Sequence, residues 1–67
     1  MSAIDNEYVI QFTFHSGVNC YLKDDKYLCN NKNEAITGTF EFCNRIIKQV
    51  AVRWPNMKEI KLVRKQE

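Results

Sequence analysis

Thr39-Phe40-Glu41-Phe42-Cys43-Asn44-Arg45-Ile46-Ile47-Lys48-Gln49-Val50-Ala51-Val52-Arg53-Trp54, closed by Pro55, is the only good helix in this 67-residue chain. Phe40, Cys43, Ile46, Ile47, Val50, Ala51 and Trp54 recur at steps of three and four, which gives a helix one apolar face. Thr39 suits the N-cap, and Glu41 places a negative charge near the positive end of the helix dipole. Pro55 ends the helix, because the residue before a proline is pushed out of the α region. Glu41, Asn44, Arg45, Lys48, Gln49 and Val52 point away from the stripe, and the Glu41–Arg45 pair adds about 0.3 kcal/mol in the favourable order. A lone amphipathic helix needs an apolar surface to lie on, and the flanking segments supply it as sheet.

Upstream, Tyr8-Val9-Ile10-Gln11-Phe12-Thr13-Phe14 alternates large apolar residues with smaller or polar ones, the pattern of a half-buried strand. His15-Ser16-Gly17 reads as a hairpin loop with glycine in the left-handed position, so Phe14 faces Val18, Phe12 faces Cys20 and Ile10 faces Leu22. A turn of Ser16-Gly17 alone would slip the register and mix the two faces. A second turn at Asp24-Asp25 is expected to set Leu22 opposite Tyr27 and Cys20 opposite Cys29. The core face then holds Tyr8, Ile10, Phe12, Phe14, Val18, Cys20, Leu22, Tyr27 and Cys29. The reverse face holds Val9, Gln11, Thr13, Asn19, Tyr21, Lys23, Lys26 and Leu28, mixed in character and open to a partner unless something covers it.

After the polar loop Asn30-Asn31-Lys32-Asn33, Glu34 to Gly38 leads into the helix. Beyond Pro55, Lys58 to Arg64 reads as a last strand with Ile60 and Leu62 toward the helix and lysines suited to a sheet edge. The expected fold is α+β: a three-stranded antiparallel meander, one helix packed on the sheet, and a C-terminal strand (βββαβ). A single domain over residues 1–67 is expected, with 1–7 as a leader. So small a core implies modest stability or help from a homodimer.

Composition is that of an ordinary globular chain, 45% apolar and 27% charged. No apolar run is long enough to span a membrane, and Met1 to Glu7 has no secretory character, so a cytoplasmic location is expected. Charge is uneven. Residues 1–44 carry three bases against six acids, whereas residues 45–67 carry seven bases against two. Cys20, Cys29 and Cys43 lack the paired spacing of a zinc site and read as small apolar core residues, although facing Cys20 and Cys29 would allow a cross-strand disulfide. His15 is a turn residue without a third orienting group, Cys43 lies on the buried helix face, and isolated glycines make no phosphate loop. No cofactor and no enzymatic activity are expected.

In overall plan the chain resembles the small β-β-β-α-β proteins of bacteriophages and mobile elements, among them anti-CRISPR and other host-takeover inhibitors. The likeness rests on Tyr8-Val9-Ile10, Tyr27-Leu28, Glu34-Ala35-Ile36, the helix Thr39 to Trp54, and Ile60-Lys61-Leu62-Val63. Cys43 stands where such helices usually place alanine. The resemblance implies a protein-binding inhibitor whose partner is a host protein or ribonucleoprotein complex. The expected contact residues are Tyr21, Lys23, Lys26 and Leu28 on the sheet, with Arg45, Lys48, Lys58, Lys61 and Arg64 on the basic C-terminal third. The other expectation is a small nucleic-acid-binding protein that contacts phosphates through Arg45, Lys48, Lys58, Lys61, Arg64 and Lys65.

Overall fold

The computed structural model of the chain describes residues 7–24 and 26–65; residues 1–6 of the expected leader and Asp25 of the second turn lie outside the described residues. The fold is α+β, with strands β1 (Tyr8–Thr13), β2 (Asn19–Leu22), β3 (Leu28–Cys29) and β4 (Glu59–Arg64) and one helix, α1 (Phe40–Arg53). The strands form an antiparallel sheet in the order β3-β2-β1-β4. That is the βββαβ layout, with the last strand placed beside the first. Val9, Ile10 and Phe12 are wholly buried, so β1 is the one strand covered on both faces.

The first hairpin keeps the expected register. Phe12 pairs with Cys20, and the Phe14 amide donates to the Val18 carbonyl at 2.8 Å. Gly17 closes the loop at φ 97°, a left-handed conformation that a Cβ would strain, and its amide donates to the Phe14 carbonyl.

The second hairpin departs from expectation. Leu22 pairs with Leu28 and Tyr21 with Cys29, in place of Leu22 with Tyr27 and Cys20 with Cys29. The cause is the Asp24 side chain. Its carboxylate accepts the Lys26 and Tyr27 amides at 2.8 and 3.1 Å, while the Lys23 amide donates to the Tyr27 carbonyl. That Asx-type turn draws Lys26 into the loop and shifts the return strand by one residue. Leu28 therefore joins the helix side, Tyr27 is 63% exposed and outside the core, and Cys29 turns to the reverse face. Cys20 and Cys29 no longer face each other, and the three cysteines are free thiols.

The reverse face is also not the open surface expected of it. Val9, Cys29 and Ala35 are buried together there, with Tyr21 and Val63 packed against them. The cover is the segment after β3. Asn31 caps a 3₁₀ turn at Lys32–Glu34 by accepting the Asn33 amide at 2.8 Å, and this turn delivers Ala35 onto the sheet. The segment then rejoins the sheet, with the Ile36 amide on the Leu22 carbonyl and Gly38 bridged to Tyr8.

On the other side, Cys43, Ile46, Ile47, Val50 and Trp54 of the helix stripe pack on Ile10, Phe12, Leu22, Leu28, Ile60 and Leu62. The Phe12 and Trp54 rings meet edge to face with centroids 5.3 Å apart. Phe40 and Ala51 were expected in the stripe, yet both are exposed, Phe40 by 51%. They lie on the flank of the stripe, where the narrow sheet cannot reach them; Phe40 covers only the edge of Tyr8, at 5.5 Å. Val18 projects to the helix side as expected but stays exposed beyond the helix.

The helix begins where the sequence places it. The Thr39 hydroxyl accepts the Phe42 amide at 3.0 Å, and the Trp54 amide donates to the Val50 carbonyl at the far end. Thr39→Ala is expected to lower stability by about 1 kcal/mol, because a helix-end amide loses its acceptor. Urea titration followed by circular dichroism measures this, and an unchanged midpoint would show that the cap contributes nothing.

Candidate functional site

The residues expected to contact a partner do not form one surface. Lys23 and Lys26 are exposed at the tip between β2 and β3. Tyr21 is half-buried on the reverse face, and Leu28 packs into the core under the helix, so neither offers the free apolar contact foreseen for the back of the sheet. Arg45 and Lys48 are exposed on α1. Lys58 precedes β4, and Lys61 and Arg64 follow along it on opposite faces, Lys61 on the reverse side and Arg64 on the helix side. Lys58 is anchored through its amide on the Thr13 carbonyl, and the Arg64 carbonyl accepts from Lys32 Nζ at 3.1 Å.

A different concavity stands out at the C-terminal end of α1. Phe14, Trp54, Pro55 and Met57 form apolar walls, Arg53 and Asn56 add polar groups, and the space enclosed is about 230 Å³. Several causes meet here. Pro55 ends the helix and turns the chain toward β4, Trp54 is fixed from below by Phe12, and Phe14 extends β1 past the end of the helix. Small-molecule sites run to roughly 300–1,000 Å³, so this groove suits one large side chain of a partner better than a cofactor. Arg53, exposed at its edge, would favour an acidic neighbour to that side chain.

No protein-family model, curated protein or solved structure matches the chain.

The groove was not among the sequence-derived candidates. Trp54 was read as core, and it is both: half-buried against Phe12 and part of the groove wall. Phe14 and Met57 are separated by most of the chain, so their meeting depends on the β1–β4 pairing. The clue that could have located it is Trp54-Pro55-Asn56-Met57, two large apolar residues bracketing a helix stop.

The thiols are in three different settings. Cys20 is half-buried, with its Sγ 3.4 Å from Asn30 Oδ1. Cys29 is buried and directed at the Asn31 carbonyl. Cys43 is buried beneath the helix, with Sγ 3.4 Å from the Tyr8 carbonyl. Burial pushes the Cys43 thiol above its ordinary value of 9.0, partly opposed by a backbone hydrogen bond from Gly38. Cys20 is the least buried of the three, and Cys43 is buried with its thiol pushed up, so Cys20 is expected to react with iodoacetamide first and Cys43 last at neutral pH. Since the folded value is the higher one, the stability linked to Cys43 is complete below pH 9.0 and declines as pH rises past it. Mass spectrometry of tryptic peptides reads the order of alkylation; equal rates in the native protein would contradict it, and equal rates in urea are expected.

Proposed function

We propose that the chain works by binding another protein, as an inhibitor-type module, and not by turning over a substrate. The observation that carries this reading is the groove of Phe14, Trp54, Pro55 and Met57 with Arg53 at its edge, a shape suited to a protein side chain. Exposed Phe40, Phe42 and Val52 on α1 add apolar area of the kind that partners cover. The dispersal of cations supports it as well. Lys23 and Lys26 at the hairpin tip, Arg45 and Lys48 on the helix, and Lys61 on the reverse side of β4 do not make the continuous basic track that phosphates would follow. The resemblance to phage and mobile-element inhibitors belongs to the same proposal, and the target it implies is a host protein or ribonucleoprotein.

The test is capture from host lysate on immobilised wild type, Met57→Glu and Lys23→Glu proteins, each first shown to be folded by circular dichroism. A protein retained by wild type and Lys23→Glu but lost from Met57→Glu supports the reading. Capture that nuclease treatment abolishes, together with a salt-sensitive gel shift of bare nucleic acid, would overturn it in favour of phosphate binding.

A further inference from the structure

The exposed edge of β4 carries a more specific inference, which rests on the protein-binding reading and names the chemistry of a partner. β4 pairs with β1 alone, and no strand lies on its other side among the described residues. The Lys65 amide donates to the Glu7 carbonyl, which fixes Glu59, Lys61 and Val63 as the residues that share ladder hydrogen bonds with β1. Backbone groups alternate in direction along a strand, so the N–H and C=O groups of Ile60 and Leu62 point away from the sheet. The Arg64 carbonyl has the same outward direction, and Lys32 Nζ donates to it, which closes that end of the edge. The Lys58 amide is turned inward to the Thr13 carbonyl, so what is left open is a short template for an extended backbone centred on Ile60 and Leu62.

The side chains specify what that backbone should carry. Ile60 and Leu62 project to the helix side and are only half-buried, so an added strand needs apolar side chains on that face. Lys61 projects to the reverse side and is exposed. On that side Lys61 and Lys65 outnumber Glu59, so the reverse side of an added strand should be acidic. A second copy of this chain would bring the same excess of cations to the same edge. We infer that β4 accepts an extended segment of a partner protein that alternates branched apolar residues with acidic ones, added as a fifth strand to the sheet.

The probe is a labelled heptapeptide alternating glutamate with valine, with its lysine–valine counterpart as control. The readouts are fluorescence anisotropy and amide hydrogen exchange. In the free chain the Ile60 and Leu62 amides should exchange freely, and the acidic peptide should slow both by about tenfold or more. Lys61→Glu, a change at an exposed position, should weaken the acidic peptide by about fivefold and strengthen the lysine peptide, a reversal that mere loss of fold would not produce.

Three results would overturn the inference: no protection by the acidic peptide, protection confined to other amides, or protection of Ile60 and Leu62 in the free chain that grows with its concentration. The last would identify a second copy as the occupant. Failure of the peptide with groove-dependent capture intact would remove the edge and leave the protein-binding reading standing. Loss of that capture with peptide protection intact would fall on the groove and not on β4.

Discussion

Phe12→Ala is expected to leave the chain largely unfolded at 25 °C. Phe12 is wholly buried at the centre of the sheet, under α1 and edge-on to Trp54. Removing a buried phenylalanine ring costs about 3–5 kcal/mol, the lost transfer energy plus the cavity left behind. A chain of 67 residues has a total stability of roughly 3–10 kcal/mol at ordinary values per residue. One substitution therefore removes from about a third to all of it, and the small core of so short a chain places it toward the lower end of that range. Trp54 is the sole tryptophan and touches the missing ring, so its fluorescence reports the transition directly. In urea the midpoint should fall by several molar or the folded baseline should vanish, given slopes of about 1 kcal/mol per molar for so small a domain. Val52→Ala, at a residue 80% exposed, is the control and should shift stability by less than about 0.5 kcal/mol. A Phe12→Ala protein that melts near the wild-type midpoint would mean that the core does not depend on β1.

The second large effect is expected at Gly38, where the reason is space and not backbone conformation. A Cβ at this position would fall on the Phe42 ring, which lies against the glycine as the chain enters α1. The same residue exchanges two hydrogen bonds with Tyr8, so its backbone is held against β1 and cannot retreat. Gly38→Ala must then displace the ring, at a cost of about 1–3 kcal/mol. Phe42 is 39% exposed, so its escape route leads into water, and the loss is that of its remaining contact. A double-mutant cycle gives the decisive measurement. In a Phe42→Ala background, Gly38→Ala should lose most of its effect, and equal effects in both backgrounds would show that the ring is not the obstacle.

The elements with strong local signals were legible in the sequence. Thr39 and Pro55 bracket the helix because capping and proline sterics act on the residues beside them. The first hairpin could be read because Gly17 selects one loop length, and that length sets every pair up the strands. The second hairpin departs from its expected register because that register depends on where the one carboxylate of Asp24 finds its donors, a choice that composition does not encode. Coverage of the reverse face was hidden for a related reason. Ala35 is a small residue at the end of a polar loop, and nothing local shows that it will land on Val9 and Cys29. Of the candidate site, the cations at β4 were visible by spacing alone. The groove was not, because Phe14 and Met57 come together only after the sheet has formed.

The strand order has a kinetic consequence. β1 meets β2 through a short loop, but its other edge waits for β4, which pairs Tyr8 with Arg64 and Thr13 with Glu59 across nearly the whole described chain. Closing so long a loop carries an entropic cost that the local hairpin and helix escape, and it must be met before any β1–β4 contact gives a return. The first hairpin and α1 can therefore form early, while the strand buried on both faces in the finished sheet is still open along one side. Until β4 docks, Val9, Gln11 and Thr13 present unmatched backbone groups beside bare apolar side chains. A partly folded chain without β4 would thus carry the centre of the future sheet as an edge, the arrangement most open to misassociation.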